Sequence, residues 1–386
     1  MAYVRRALTS QVERAARAFS AVLLTGPRRS GKTTLLRALR PGAAYHLLED
    51  PDVVARFRAD PRGFLAGLRL PVILDEVQHV PEIFGYVRAR IDAEPRQRGQ
   101  WFLTGSQEAP LMRGVTESMA GRAAILHLWP LSSAESPKVS LYRGGFPEVI
   151  ARPSTADLWL RSYVQSYLER DVRAVTSVRD LATFRRFVSL VASLTGQMLN
   201  KTALAAPLGV SVPTVTDWLS VLEVTGQILL VPPYFKNFGK RLVKTPKLYF
   251  VDSGLACHLL GIESARALER SPFLGSIFEG FVASEIAKLQ MNRGGRPEIY
   301  YFRDHQGLEV DFVVRHRSEL TLIEAKASRT PVPQMADSLV RLRTAMKSTP
   351  ATSLLVHRTL ASSPRSTALR PGVRAVPMDQ MLALLT

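Results

Sequence analysis

Residues 26–34 read GPRRSGKTT, with the apolar run AVLLT before them and LLRALR after them. A strand that ends in a glycine loop and restarts as a helix leaves a chain few folding choices. Gly26, Pro27, Arg28, Arg29, Ser30, Gly31, Lys32 and Thr33 fit G-x-x-x-x-G-K-[ST], and Thr34 follows as a further nucleotide-binding candidate. Backbone N–H groups of such a loop would surround phosphates. Lys32 would reach the β and γ oxygens, and Thr33 would hold Mg²⁺. The helix starts at the loop, so its N-terminal dipole faces the anion. The pattern predicts an α/β fold that binds ATP with Mg²⁺.

PVILDE (71–76), QWFLTGS (100–106) and AAILHLW (123–129) repeat the short apolar form, with helical stretches between them. Strands alternating with helices imply a doubly wound α/β domain. The carboxylate that such a site needs stands at the end of VILDE. Asp75 would enter the Mg²⁺ shell, and Glu76 would polarise the attacking water. Ser106 or Thr104, at the end of FLTGS, could sense the γ-phosphate; an ordinary turn is the alternative. Arg122, just before the next strand, could reach a neighbouring subunit's site as an arginine finger, or be one more surface arginine.

The chain has 51 Lys and Arg against 33 Asp and Glu, a formal net charge of +18. That excess favours a polyanionic partner, with DNA expected. Cys257 is the single cysteine, so no internal disulfide can form. No apolar run approaches a membrane span, and the expected location is the cytoplasm. At 386 residues the chain is too long for one compact core. Residues 3–19 read as a basic amphipathic helix, and a change of character follows WPLSSAE. The expected division is an ATPase core over 1–131, a helical lid or linker over 132–180, a winged helix-turn-helix over 181–250 and a C-terminal α/β domain over 251–386.

LNKTALAAPLGVSVPTVTDW, from residue 199, has helix-turn-helix spacing. Ala205 and Val215 would pack, Gly209 would make the turn and Ser211 would cap the second helix. Thr214 and Thr216 would lie near the exposed, DNA-facing side. ILLVPP then reads as a wing strand. The second helix carries no Arg or Lys, so a structural hairpin or a protein-binding winged helix stays open. YFKNFGKRLVKTPKLYF (234–250) interleaves Lys236, Lys240, Arg241, Lys244 and Lys247 with aromatics, suiting phosphate contact and base stacking.

GPRRSGKTT, VILDEVQ, FLTGS, RGGFPE, KLYFVDSGL, FEGFV, EVDF and IEAKAS together resemble a family of prokaryotic ATPases. These join an AAA-type P-loop domain to a C-terminal domain of uncharacterised role. The resemblance covers nearly the whole chain. It implies ATP hydrolysis and a homo-oligomer, such as a hexameric ring, and names no substrate.

Asp311, with Glu324 and Lys326 two apart on the next strand, resembles the core of PD-(D/E)xK nucleases. EVD stands where that pattern has Pro-Asp. The resemblance implies a restriction-endonuclease-like fold with Mg²⁺ on Asp311 and Glu324, Lys326 aligning a water, and Glu279 as the acidic residue of the preceding helix. Two readings follow: an ATPase that acts on DNA, with metal-dependent cleavage as an added activity, or an ATP-dependent switch that binds DNA or a protein through a catalytically silent nuclease-like fold.

Overall fold

The computed structural model describes residues 3–105, 118–168, 181–234, 245–316, 319–346, 351–358 and 366–385. The chain divides into two compact units. One holds residues 1–131 with the short segments 224–226 and 291–295; the other holds 132–223, 227–290 and 296–386.

The first unit is a parallel sheet of β1 (Ala21–Thr25), β2 (Ala44–Leu47), β3 (Val72–Asp75), β4 (Trp101–Thr104) and β5 (Ala123–His127), in the order β2-β3-β4-β1-β5. Side chains alternate between the faces of a strand. In β1, Ala21 and Leu23 join one buried cluster with Val72, Leu74 and Leu103, while Val22 and Leu24 join another with Leu35, Leu36 and Phe102. Both faces are therefore covered, which is why these strands read as unbroken apolar runs. β2 escapes that signal because AYHL is only half-buried. β4 lies between β1 and β3, so its C-terminal end falls between the phosphate loop and Asp75.

The expected helix over 3–19 is shorter, Thr9–Ala18. Arg6, ahead of it, is buried, and its guanidinium donates to the carbonyls of Ser30 (2.8 Å) and Trp129 (2.6 Å). Those bonds hold the segment in a non-helical path.

In the second unit the helices Leu181–Ser193, Lys201–Ala205 and Val212–Val224 enclose an apolar core with Phe184, Phe187, Leu204, Val215 and Trp218. Gly209 (φ 65°) turns the chain between the last two helices. Ser211 Oγ accepts from Thr214 N (3.2 Å) at the start of the third. β6 (Ile228–Val231) and β7 (Lys247–Phe250) then pair as an antiparallel hairpin. After the helix Leu274–Asn292 comes a mixed six-stranded sheet. Its strands are β8 (Ile299–Arg303), β9 (Glu309–His316), β10 (Glu319–Lys326), β11 (Ala351–His357), β12 (Thr367–Arg370) and β13 (Val373–Pro377), ordered β12-β13-β11-β10-β9-β8. β8, β9 and β10 are successively antiparallel, whereas β10, β11 and β13 run parallel.

RGGFPE and KLYFVDSGL meet inside this unit. Asp252, buried, caps the helix Ser253–Leu259 by accepting from Leu255 N (2.9 Å), and also accepts from Gly145 N (2.7 Å). A Cβ on Gly144 would sit 2.0 Å from Asp252 Oδ1, so the glycine permits the approach.

Candidate functional site: a nucleotide pocket and a buried charge cluster

The phosphate loop takes backbone conformations that few residues tolerate. Gly26 (φ 133°), Arg29 (φ 61°) and Gly31 (φ 98°) all have positive φ. A Cβ on Gly26 would lie 2.2 Å from the carbonyl oxygen of Leu128, so only glycine fits there. Gly31 precedes the helix Lys32–Leu39, whose first N–H groups open into the loop. Lys32 is buried, and its Nζ donates to the carbonyls of Gly26 (3.0 Å) and Pro27 (2.9 Å). Ser30 Oγ is buried and has no hydrogen-bond partner among the described residues. Arg28 is buried, while Arg29 and Thr34 are exposed on the loop and first helical turn.

Asp75 ends β3 beside this loop. Thr33 Oγ1 donates to its Oδ1 (2.9 Å) and Oδ2 (3.0 Å), Tyr45 OH donates to Oδ2 (2.7 Å), and Thr104 Oγ1 donates to Oδ1. Burial, and then the Asp75 carboxylate, push the Tyr45 phenol well above the ordinary tyrosine range. Glu76 follows in the left-handed region (φ 57°, ψ 47°), a cost of about 1–3 kcal/mol that its surroundings must offset. Its N–H donates to Thr104 Oγ1 (3.2 Å), and its carboxylate accepts from Gln78 Nε2. Thr104 therefore touches both acidic residues. Its hydroxyl is turned onto Asp75, which makes it a positioning residue for the acidic pair.

This donor set fits a magnesium nucleotide. A hydroxyl beside a carboxylate suits a hard cation, and an unpartnered hydroxyl in a glycine loop suits a phosphate oxygen. Thr33 and Asp75 would hold the Mg²⁺, which would neutralise phosphate charge. Lys32 and the loop N–H groups would bind the phosphates. Glu76 would orient and polarise water.

Ser106 lies outside the described residues. Arg122 lies on the surface of the first unit, in a forked pair with Asp92 (Nε–Oδ1 2.6 Å, Nη2–Oδ2 3.0 Å) that holds the Asp92 carboxyl below its usual range. Tyr45 and Arg6 were missing from the sequence reading. Each sits outside any local motif and reaches the site only through tertiary packing.

The second unit holds a buried charge cluster. Asp311 lies on β9; Glu324 and Lys326 lie on β10, as their spacing predicts. Asp311 Oδ2 accepts from Ala325 N (2.9 Å). Lys326 Nζ donates to Glu324 Oε1 (2.6 Å), and Ser338 Oγ donates to Glu324 Oε2 (3.0 Å). Burial, and then Asp311, push the Glu324 carboxyl up to about 7. Glu279 projects from the helix Leu274–Asn292. Burial, and then Asp311, push its carboxyl up to about 7 as well.

Lys247 requires a correction. It was expected to meet DNA phosphates, but its side chain is 4% exposed and its ammonium lies 2.9 Å from Glu279 Oε1, 2.6 Å from Glu309 Oε1 and 3.7 Å from Asp311 Oδ1. Burial works against this charge, and the three carboxylates outweigh it, lifting the pKa above the ordinary lysine range. A lysine so enclosed has no face left for a phosphate. The metal expectation for Glu279, Asp311 and Glu324 meets carboxylates that already have partners within the fold. Every one of these carboxylates is engaged by a lysine, a hydroxyl or a backbone N–H. Among the described residues, no group of three or more His, Cys, Asp or Glu side chains is arranged to hold a metal ion. What sets this cluster apart from Asp75 is a buried ammonium, that of Lys247, lying among three of the carboxylates.

Glu309 was overlooked in the sequence, although LEVD sets it two residues from Asp311 and hence on the same strand face. Thr214 and Thr216 lie partly exposed on the helix Val212–Val224. Thr214 Oγ1 bonds Ser211 Oγ (2.8 Å), and Thr216 Oγ1 donates to Val212 O (3.0 Å). Lys236, Lys240, Arg241 and Lys244 lie outside the described residues.

Residues 18–136 match the family described as AAA domain. Residues 135–266 and 274–381 match two domains of unknown function, DUF8612 and DUF4143. The uncharacterized proteins Rv2008c of Mycobacterium tuberculosis and Mb2031c of Mycobacterium bovis are each 33% identical over 335 residues, spanning 85% of this chain and 75% of theirs. The chain belongs to their family. Its residues 18–136 form a P-loop AAA ATPase domain, by the family match, the parallel sheet and the loop. Among solved structures, the Walker-type ATPase PABY2304 of Pyrococcus abyssi is 17% identical, covering 66% of this chain and 95% of its own, with a TM-score of 0.39. RuvB of Thermotoga maritima is 17% identical, covering 59% and 89%, with a TM-score of 0.29. Both likenesses are too weak to carry an argument. Among the described residues, no helix is long and apolar enough to cross a membrane.

Proposed function

We propose that this protein is an ATP-hydrolysing AAA-type ATPase that acts on DNA, working as a homo-oligomer. The observation that carries the hydrolytic half is the contact of Thr104 with both Asp75 and Glu76, next to a phosphate loop whose Thr33 already bonds Asp75. Such an arrangement keeps the metal-binding carboxylate and the water-polarising carboxylate in fixed relation. The DNA half rests on the net charge of +18 and on a glycine-turned helix pair followed by a hairpin, the order of a winged helix. The half-exposed Arg122, bonded to Asp92 and to the carbonyl of Ala120, suits a residue that completes a neighbour's site.

The test is fluorescence anisotropy with single-stranded, duplex and branched DNA, in an unhydrolysed ATP analogue and in ADP. Tighter binding in one nucleotide state than the other, falling with salt, is the expected result. No DNA binding at low salt, with a protein partner co-purifying, would move the reading to a switch that acts on protein.

A further inference from the structure

We infer that Lys247 is a built-in cation: its ammonium takes the place that a divalent metal would occupy among Glu279, Glu309 and Asp311, so the C-terminal unit does not cleave nucleic acid by a metal-dependent route. The inference stands whether or not DNA is the partner.

The geometry is that of a cation site filled from within. Lys247 enters from β7 of the hairpin and meets a carboxylate of the helix Leu274–Asn292 (Glu279, 2.9 Å) and one of β9 (Glu309, 2.6 Å), with Asp311 at 3.7 Å. A magnesium ion needs oxygens at about 2.0–2.1 Å in octahedral array, and calcium about 2.3–2.6 Å. The oxygens here are spread to ammonium distances and drawn toward Nζ. Further bonds reach the same carboxylates. Tyr249 OH donates to Glu279 Oε1, and Arg303 Nη1 lies 3.0 Å from Glu309 Oε2. Asp311 Oδ2 is bonded by Ala325 N, and Glu324 by Lys326 and Ser338.

Charge gives the same answer. Four carboxylates (Glu279, Glu309, Asp311, Glu324) face three cations (Lys247, Lys326, Arg303), leaving a formal excess of a single negative charge. A divalent ion entering there would meet the repulsion of the buried ammonium and pay its own desolvation. Removing Lys247 would double the deficit and take a cation from three carboxylates at once. The ammonium also has a mechanical effect. It ties the hairpin to the helix and to the sheet through one buried centre, so β7 and β9 cannot separate without exposing an unpaired charge.

The experiment is Mn²⁺ binding, followed by electron paramagnetic resonance on nucleotide-free full-length protein, with thermal unfolding as the check on folding. Wild type and Asp311→Asn should bind Mn²⁺ identically, any Mn²⁺ at the phosphate loop being common to both. Lys247→Met should gain a site at least tenfold tighter than any that Asp311 contributes to in wild type, and Lys247→Met with Asp311→Asn should lose it again. Wild type holding one Mn²⁺ that Asp311→Asn abolishes would overturn the inference, and that comparison decides even if Lys247→Met does not fold. A folded Lys247→Met that gains no Mn²⁺ site would overturn it too.

Discussion

Replacing Thr104 by Val keeps the volume and shape of the side chain but removes its hydroxyl. In the fold that hydroxyl donates to Asp75 Oδ1 and accepts from Glu76 N–H. Thr104 is fully buried, so water cannot readily replace it. A hydrogen bond to a charged group contributes about 1.5–3 kcal/mol, and leaving the part-buried Glu76 N–H without its acceptor adds to the loss. Asp75 keeps two donors, Thr33 and Tyr45, so its own loss lies at the low end. If about 1.5–3 kcal/mol of this is felt in the transition state, turnover falls about 10- to 150-fold, at 1.36 kcal/mol per tenfold. Nucleotide affinity should change far less, because Lys32 and the loop N–H groups are untouched. Steady-state phosphate release and binding of a fluorescent ATP analogue separate the two effects. Thr104→Ser, which restores a hydroxyl, should recover most of the rate. Unchanged turnover in Thr104→Val, or a loss of nucleotide binding as large as that of Lys32→Ala, would refute the positioning role.

Glu76→Gln should bind ATP and barely turn it over; parental hydrolysis in that variant would remove Glu76 as the base. Arg122→Ala should spare nucleotide affinity and cut turnover about a thousandfold or more, with wild-type specific activity rising with protein concentration; a fully active dilute monomer would exclude a finger from a neighbour. Lys240→Ala with Arg241→Ala should weaken DNA binding and reduce the log–log salt slope by about two, at about 0.9 per phosphate contact, as read by anisotropy across a salt series. Burial and Asp311 raise the Glu324 carboxyl to about 7, so the folded unit holds this proton more tightly than the unfolded chain does. Its stabilising contribution is complete below the ordinary glutamate range and is lost as pH rises toward 7. Wild type should therefore lose thermal stability relative to Glu324→Gln between pH 5 and 8, and a constant difference would contradict this.

The nucleotide pocket was legible because its chemistry is local. One contiguous loop carries Gly26 to Thr34, and Asp75 and Glu76 end an apolar run. Tyr45 was not legible. It lies on the half-buried AYHL strand and reaches Asp75 only because β2 is placed beside β3. Lys247 misled for a related reason. Its neighbours Lys240, Arg241 and Lys244 make a basic run, and composition cannot distinguish a solvated lysine from one enclosed by acids more than thirty residues away. The period-two pairs were the available signal: Lys247 with Tyr249, Glu309 with Asp311 and Glu324 with Lys326 each share a strand face. Which faces would meet depends on the register of the hairpin and the sheet, and that is a tertiary fact.

Phosphate release and strand integrity, measured in one Mg²⁺ reaction with single-stranded and duplex DNA, test the account most directly. The account predicts ATP turnover that rises on adding DNA, vanishes in Glu76→Gln, and leaves every strand intact. Turnover indifferent to DNA, or cut strands that disappear in Asp311→Asn, would contradict it.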